Sequence, residues 1–426
     1  MTQRRIRPRE ADQLLKALEA GIVPRIGLSH TLVGRKGEVS EILRIFNNLL
    51  EGDSDFKLWV GDFGSGKSFM LGTIEQLGLE KNFVTSTVDL SPTRRFQASD
   101  GKAIALYQEI IRKLRTRTAQ EGEAMAVILD QWLYRLMDKE PNQVEYRIQE
   151  TIANMKSAGF RYELGQAILA YYQGLKEDNM DQKLQALRWL GGLIPTVTES
   201  KRILGIGKIV KDSNWFDMTM NLTELFRACG YAGLIINFDE VVNLYKLPRA
   251  QSRDNNYERV LNMYNACKSN GVPGLFVNLG ATKKTVFDER RGLSSYQALK
   301  SRLALDESYE DLVDVRSTVQ LLKVLSPEEI FTLLDKLQSI FKILHKEARF
   351  FSPSQIQAYM EAQLNRPGAK EFLTPRAVIK EFLQILSLAD QNQDISIDDL
   401  LERRFGGMGQ VLPDEDNQDD LPIEIY

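Results

Sequence analysis

The stretch FKLWVGDFGSGKS, residues 56–68, decides the fold of this chain. It begins as a short apolar run typical of a buried strand and ends in the spacing Gly-x-x-x-x-Gly-Lys-Ser, after which residues 69–71 continue as a helix. Glycines let the backbone fold back so that successive N–H groups face inward and can hold phosphate oxygens. The start of the following helix adds its positive dipole end at the same place. The stretch therefore predicts a P-loop, a nucleoside triphosphate site between a strand and a helix.

Each residue type in this turn has a physical role in that interpretation. Lys67 would neutralise the β- and γ-phosphates, and the Ser68 hydroxyl would ligate Mg²⁺. The predicted nucleotide-contacting residues are those of the turn and its flank: Gly61, Asp62, Phe63, Gly64, Ser65, Gly66, Lys67, Ser68 and Phe69.

The composition excludes several classes of function. The chain has 426 residues, of which 43% are hydrophobic and 27% charged, and its formal net charge is −3. A chain of this length has room for two or three domains, and its small net charge means that any nucleic-acid contact must come from a local patch. With two cysteines and two histidines, a disulfide framework or a His-based metal centre is not expected. We expect a cytoplasmic protein that does not enter a membrane, since no apolar run is long enough to span one.

Four further segments predict strands that alternate with helices. Residues 83–90, FVTSTVDL, alternate in polarity and are rich in β-branched side chains, whereas 233–238 and 274–279 are short, continuous apolar runs. Residues 319–325 are the last such segment. The alternation predicts an α/β fold of the P-loop NTPase class, in which five parallel strands lie between two layers of helices.

Helical patterns fill most of the remaining chain and indicate its domains. We predict an N-terminal helical and basic segment over 1–28 and a nucleotide-binding core over 29–326 that contains a helical insertion at about 102–230. A helical lid is predicted over 327–405, followed by a flexible tail over 406–426. The tail is predicted to be flexible because it has six acidic and no basic residues.

An acidic pair, Asp239 and Glu240, directly follows the apolar run at 233–238. In a Walker B arrangement Asp239 would hold the Mg²⁺ shell, and Glu240 would orient or deprotonate the attacking water. The alternative is a pair of strand-end acids that only faces solvent, and the upstream turn favours the catalytic interpretation. No Asn-Lys-x-Asp guanine motif occurs, which favours ATP over GTP. We therefore expect an ATPase whose cofactors are ATP and Mg²⁺.

The order of these motifs and of two later arginines resembles that of AAA+ ATPases, particularly the branch that contains origin-recognition proteins. The resemblance implies that Arg302, in a Ser-Arg-Leu segment, is an arginine finger, and that Arg376, at the start of a helix, is the sensor 2 arginine of the lid. It implies that Thr282, or alternatively Asn278, is the sensor 1 residue. A guanidinium suits a γ-phosphate because its planar fork makes two hydrogen bonds and stays charged. Each arginine could instead be an ordinary surface or salt-bridging residue.

A likeness over almost the whole chain points to a narrower group. The chain resembles the ATP-binding proteins of bacterial anti-phage defence loci, such as BrxD of BREX systems and SngB of Shango, from about residue 10 to 405. The resemblance is carried, in this order, by the segments VGRKGEVSEIL, VGDFGSGKSFML, VDLSPTRRF, FDEVVNLYKL, RRGLSSYQALKSRL and LTPRAVIKEFL. It adds Gly34 and Arg35 to the nucleotide site and implies that a helicase encoded nearby is a partner.

Two functions of different class remain open. The first is an ATPase that acts on DNA together with the helicase, as a loader or regulator, and that turns over slowly until a partner or a second copy of the chain completes its site. The second is an ATP-dependent signalling or scaffolding switch that binds a protein partner without contacting DNA. Three basic clusters could contact DNA, although such a cluster is ordinarily only a solvated surface. The first cluster is Arg4, Arg5, Arg7 and Arg9, the second is Lys201, Arg202, Lys208 and Lys211, and the third is Lys283, Lys284, Arg290 and Arg291.

Overall fold

The chain divides into two compact units, which we name the sheet unit and the helical unit. The sheet unit spans Val23–Leu325, and the helical unit combines Met1–Ile22 with Ser326–Tyr426. The computed structural model describes the following residues of the two units: 6–157, 159–303, 314–366 and 374–406.

Five parallel strands form one sheet in the sheet unit. The strands are β1 (Asp55–Val60), β2 (Val84–Asp89), β3 (Leu234–Asp239), β4 (Leu275–Ala281) and β5 (Val319–Leu321). Their order across the sheet is β2-β3-β4-β1-β5, and every neighbouring pair is parallel. The predicted mixed α/β fold with a five-stranded parallel sheet is therefore confirmed.

The fifth strand is shorter than the apolar run at 319–325 predicts. Among the described strands, β5 lies at the edge and pairs only with β1, and the last pair in their register joins Val60 to Leu321. Because β1 ends at Val60, no partner backbone continues beside the chain after the Leu322 N–H donates to the Val60 carbonyl at 2.7 Å. The end of the neighbouring strand, rather than the local sequence, terminates β5.

Both faces of the sheet are buried. Two helices, α2 (Lys36–Glu51) and α3 (Lys67–Glu80), contribute to one apolar cluster that contains Trp59 of β1 and Phe276 of β4. The alternate strand residues, such as Leu58, belong to a larger cluster on the opposite face. Alternation between two buried faces explains why the central strands are apolar throughout.

Between β2 and β3, the described residues form a series of helices that shares the larger of these two cores. Trp132, Trp189 and Trp215 are buried there in the same cluster as the strand residues, so this region packs onto the sheet instead of forming a separate core. The helices are α4 (Lys102–Arg112), α5 (Ala124–Lys139), α6 (Val144–Ala153), α7 (Arg161–Lys176), α8 (Met180–Leu190), α9 (Val197–Leu204) and α10 (Trp215–Ala228).

The remaining helices of the sheet unit follow β3 and β4. Two of them begin within three residues of a strand end and therefore lie at the carboxyl edge of the sheet. The helices are α11 (Val242–Tyr245), α12 (Ala250–Lys268), α13 (Lys283–Phe287) and α14 (Gln297–Leu303), and short 3-10 helices span Leu28–His30 and Leu293–Ser295.

The helical unit combines the first helix of the chain with the last ones. Its helices among the described residues are α1 (Pro8–Glu19), α15 (Pro327–Leu344), α16 (Pro353–Leu364), α17 (Pro375–Gln391) and α18 (Ile397–Phe405). α1 packs against α15 and α17. The cap residues Ser326, Ser352 and Thr374 each accept a backbone N–H through the side-chain oxygen and precede a proline at the first helical position. Local capping chemistry therefore sets where these three helices begin.

The tail predicted at 406–426 lies, except for Gly406, outside the described residues. In the part of the chain that the structure covers, no helix combines the length and the apolar character needed to cross a membrane.

Candidate functional site

The Gly61–Ser68 turn joins the carboxyl end of β1 to the first turn of α3. Gly64 has φ 83° and Gly66 has φ 86°, which is the left-handed region that side chains with a Cβ rarely adopt. Gly66 is also the N-cap of α3. The two glycines therefore set the backbone path that turns the chain from strand to helix.

Gly61 is required for a different reason, namely close packing. A Cβ at this position would lie 2.3 Å from the Ser65 Oγ and 3.0 Å from the carbonyl oxygen of Leu322, just past β5. The Ser65 Oγ is itself buried and, among the described residues, has no hydrogen-bond partner. Buried polar atoms are nearly always satisfied, so an orphan hydroxyl marks this turn as unusual.

Lys67 interacts mainly with its own turn. Its Nζ donates to the carbonyl oxygens of Gly61 at 2.9 Å and Asp62 at 2.8 Å, and it lies 5.7 Å from the centre of the Phe63 ring. Burial lowers the pKa of the Lys67 ammonium, and the nearby carboxylates, which act in the opposite direction, only partly offset this effect. The Phe63 side chain is 79% exposed, which is high for an aromatic ring.

Arg35 connects the turn to the segment after β5. Its guanidinium donates to the carbonyl oxygens of Ser65 at 3.0 Å and Lys323 at 2.6 Å, and it pairs with Glu38 at 3.1 Å. The side chain is 8% exposed, and Gly34 before it has φ 68°. Arg35 therefore contacts the candidate site through the backbone of the turn, and it holds that backbone in place.

A carboxylate from β3 reaches the same turn. The Ser68 hydroxyl donates to Oδ2 of Asp239 at 2.5 Å, and the backbone N–H of Glu240 donates to Oδ1 at 2.8 Å. Burial raises the pKa of Asp239, and these two hydrogen bonds lower it only in part. A Cβ at Gly280 of the neighbouring β4 would lie 2.7 Å from Oδ1, so glycine at that position leaves room for the carboxylate.

Glu240 has an uncommon backbone conformation. Its φ is 56°, in the left-handed region, although it is neither glycine nor asparagine. Its side chain is exposed, in contrast to the buried Asp239 beside it. Left-handed backbone at such a residue costs free energy and tends to occur at functional sites.

A further carboxylate, that of Asp89, was not among the residues predicted from the sequence. β2 and β3 are parallel neighbours, and their register pairs Asp89 with Asp239, so both side chains lie on one face of the sheet. The charge of Asp89 contributes to raising the pKa of Asp239. The signal in the sequence is that residues 83–90 place an acid at the end of a strand, as residues 233–239 do.

The two candidate sensor 1 residues occupy different environments. Thr282 is the N-cap of α13, where its hydroxyl accepts the Thr285 N–H at 3.2 Å, and it lies at the carboxyl edge of the sheet. Asn278 lies within β4, is fully buried, and accepts a hydrogen bond from the Trp59 indole at 2.9 Å. Only Thr282 is at the edge to which Asp239 and the turn also belong.

The two arginines lie in different units. Arg302 is in the last turn of α14 in the sheet unit, where it is exposed and donates to the Ala298 carbonyl of its own helix at 2.7 Å. No hydrogen bond or ion pair between described residues joins it to Lys67, Ser68 or Asp239. Arg376 is exposed in the first turn of α17, in the helical unit.

The donor set around Ser68 is compatible with Mg²⁺. Among the described residues, no group of three or more His, Cys, Asp or Glu side chains could hold a metal ion by itself. Mg²⁺ usually takes only one or two protein ligands and completes its shell with water and phosphate oxygens. The Ser68 hydroxyl and the buried Asp239 carboxylate fit that pattern, since a cation would compensate the charge that burial disfavours.

The chain also matches a known protein family. The family model of the BREX system ATP-binding protein BrxC/D matches residues 6–404. The chain belongs to this family. The match includes described residues of both units and all the candidate site residues, and it confirms the BREX resemblance predicted from the motif order. A search of curated proteins found no match.

Proposed function

We propose that this BrxC/D-family chain binds and hydrolyses ATP with Mg²⁺, as an AAA+-type ATPase of an anti-phage defence system in the cytoplasm. The observation that carries the proposal is the convergence of Lys67, Ser68 and Asp239 at one edge of a parallel sheet, with Glu240 next in the chain. The printed description of the family as ATP-binding supports the choice of nucleotide.

In this proposal the ground-state nucleotide is held by the turn. The backbone N–H groups of Gly61–Ser68 and the Lys67 ammonium bind phosphate oxygens, and Lys67 exchanges its two carbonyl partners for them. Ser68 and Asp239 hold Mg²⁺, which when bound neutralises negative charge on the phosphates.

Glu240 and Thr282 act at the reacting end of the nucleotide. Glu240 orients or deprotonates the attacking water, and its exposed side chain leaves the carboxylate free to do so. Thr282 holds the water or the γ-phosphate as the sensor 1 residue. The engagement of Asn278 with Trp59 supports Thr282 over Asn278 in that role.

The two arginines would complete the site in different ways. We assign Arg302 as an arginine finger supplied to a neighbouring copy of the chain, because it is exposed and its guanidinium is in no ion pair with the described carboxylates. We assign Arg376 as the sensor 2 arginine of its own chain, with the helical unit as the lid. Arginine fingers are worth roughly 10³–10⁵ in turnover, so a solitary chain would hydrolyse ATP slowly.

The wider role we propose is action on DNA with a helicase encoded nearby, as a loader or regulator. Membership of a BREX family supports a defence role with other system components. The competing role is a switch that binds a protein partner. It is favoured by exposed side chains of the helices between β2 and β3, where Tyr162 is 72%, Met180 68% and Leu184 54% exposed.

Substitutions at Lys67 and Glu240 test the ATPase assignment because the two residues act at different stages. We expect Lys67→Ala to weaken ATP binding by roughly 100-fold, the worth of about one strong charge-assisted hydrogen bond. Glu240→Gln should bind ATP within about 3-fold of wild type but lose roughly 10²–10⁴-fold in turnover, since it removes only the general base. Calorimetric titration with ATP and Mg²⁺, and phosphate release, measure the two effects.

The matched control is Lys139→Ala, which removes an exposed lysine at the end of α5 and should change neither measurement. Equal ATP affinity for Lys67→Ala and wild type would overturn the proposed site.

A further inference from the structure

A group of positively charged side chains lies beyond the carboxyl ends of β3 and β4, outside the residues assigned above to the nucleotide. Two segments carry it: α11 with the residues just after it, and α13 with the loop that follows. We name this group the basic surface, and its exposed members are Lys246, Arg249, Lys283, Lys284, Arg290 and Arg291.

The two segments are joined around the ring of Tyr245. The Tyr245 hydroxyl donates to Oδ2 of Asp288 at 2.8 Å. The Lys284 Nζ lies 5.7 Å and the Arg291 guanidinium 5.4 Å from the centre of the ring. Arg291 also donates to the carbonyl oxygens of Tyr245 at 3.3 Å and Leu247 at 3.2 Å. The cations of both segments therefore belong to one continuous surface.

The positive charges of this surface outnumber the carboxylates in its loop. None of its six members forms an ion pair with a carboxylate of the described residues. The oxygens of Asp288 accept the Tyr245 hydroxyl and the backbone N–H groups of Arg290 at 2.8 Å and Arg291 at 3.0 Å. The adjacent Glu289 pairs with Lys300 at 2.6 Å. Of the two acids in the loop after α13, Glu289 is therefore paired outside the surface, and Asp288 leaves one negative charge beside six cations. The surface keeps an excess of positive charge that an external anion can bind.

We propose that the basic surface binds the phosphate backbone of duplex DNA; the choice of DNA rests on the proposed function above. A row of unpaired lysines and arginines recognises phosphates without reading sequence. Binding of single strands usually also needs exposed aromatic rings on which bases stack. The Tyr245 ring is only half-exposed, lies close to two cations and has its hydroxyl bonded to Asp288, so a duplex fits better than a single strand.

The location links DNA to the nucleotide site. α11 begins just after Glu240, and α13 begins directly after Thr282. The Tyr245–Asp288 hydrogen bond joins the two segments that leave these candidate catalytic residues. A duplex bound across both segments would therefore act on the loops that hold Glu240 and Thr282, and ATP turnover should respond to it.

The test uses fluorescence anisotropy with a labelled 20-base-pair DNA duplex and its single strand over a range of salt concentrations. The variant Lys283→Gln/Lys284→Gln/Arg290→Gln removes three charges and keeps Arg291, which bonds to backbone. The control Lys201→Gln/Arg202→Gln/Lys211→Gln removes three exposed charges at and beyond α9. We expect the control to bind like wild type. The first variant should lose at least about 10-fold in affinity, and its salt slope should fall by about 0.9 per lost phosphate contact.

Several outcomes would overturn the proposal: no salt-dependent duplex binding by the wild type, equal losses in the two triple variants, or tighter binding of the single strand. If the wild type does not bind the duplex, an acidic protein is the better candidate for the partner of this surface. Both triple variants should show the wild-type circular dichroism melting curve, which separates lost contacts from lost folding. Lys67→Ala should bind the duplex as tightly as wild type does. If the wild type shows no ATP turnover but binds the duplex as expected, the proposed ATPase is refuted and the DNA surface is not.

Discussion

Two lysines, one buried and one half-buried, have very different partners at the two ends of the sheet. Lys57, in β1, is 1% exposed, and its Nζ has four acceptors: the carbonyl oxygens of Val315, Arg316 and Ser317 at 2.8–3.1 Å and Glu41 Oε1 at 3.3 Å. Lys67, just beyond the other end of the same strand, donates among the described residues only to two carbonyls of its own turn. No carboxylate among the described residues lies within ion-pair distance of it.

Burial is the largest influence on both lysines and lowers the pKa of each, so desolvation alone does not distinguish them. The difference lies in the partners. Lys57 is compensated by groups that belong permanently to the fold, whereas Lys67 holds groups that a phosphate could replace. The amino end of the sheet is therefore arranged for stability, and the carboxyl end keeps charge available for a ligand.

The largest effect we expect comes from exchanging each lysine for methionine. Lys57→Met should lower the free energy of unfolding by about 2–4 kcal/mol, because it leaves three carbonyls without their donor and Arg44 as the remaining cation beside the buried Glu41. Lys67→Met should cost less than about 1 kcal/mol. Urea unfolding without nucleotide, followed by tryptophan fluorescence, measures the difference, since all four tryptophans of the chain lie in the sheet unit.

If Lys57→Met and Lys67→Met lose the same free energy of unfolding, the proposed difference between the amino and carboxyl ends of the sheet is wrong. A Lys57→Arg variant is the matched control for charge, and it should recover only part of the loss because the guanidinium geometry differs from that of an ammonium.

A smaller effect should come from the backbone at Glu240. Glycine adopts φ 56° without strain, so we expect Glu240→Gly to raise the free energy of unfolding by about 0.5–1 kcal/mol while abolishing the general base. Glu240→Gln keeps the strained backbone and should leave stability close to wild type. The same unfolding measurement, with phosphate release beside it, checks both. If Glu240→Gly has a lower free energy of unfolding than Glu240→Gln, the backbone at this residue is not strained.

The smallest effect is the dependence of the free energy of unfolding on pH. Ionisation of Asp239, at the carboxyl end of the sheet, and of Glu41, beside Lys57, should change this free energy in opposite directions. Burial raises the pKa of Asp239 above 3.8. Burial also raises the pKa of Glu41, but the hydrogen bond from Arg44 and the charge of Lys57 outweigh this effect and lower the pKa below 4.5. Ionised Asp239 therefore costs stability above its folded pKa, and that cost disappears as pH falls to 3.8. Ionised Glu41 adds stability above pH 4.5 that is lost as pH falls further.

Without nucleotide or metal, Asp239→Asn should accordingly be more stable than wild type at pH 7 and approach it as pH falls. Glu41→Gln should be less stable at pH 7 and approach wild type below pH 4.5. Unfolding curves at several pH values measure both differences, and a change of the same sign for the two variants would contradict the assignment.

Much of the fold could be predicted because it depends on local pattern. Short apolar runs predicted the strands, and glycine spacing between a strand and a helix predicted the tight turn at Gly61–Ser68. The acid at the end of β3 was predicted in the same way, since a strand that ends in Asp-Glu is visible without knowledge of its neighbours. For Asp89, the end of residues 83–90 gave the same kind of signal, but its importance emerged only from the register of β2 against β3.

The sequence by itself determined where the chain forms strands, helices and the glycine turn, because hydrophobic periodicity, capping residues and left-handed glycines act over a few neighbouring residues. Only the tertiary structure decided which polar groups meet. Lys57 is held by carbonyls of residues 315–317, Arg35 by that of Lys323, and α1 packs with the last helices of the chain. Such contacts depend on strand order, register and packing between segments hundreds of residues apart, which no local pattern encodes.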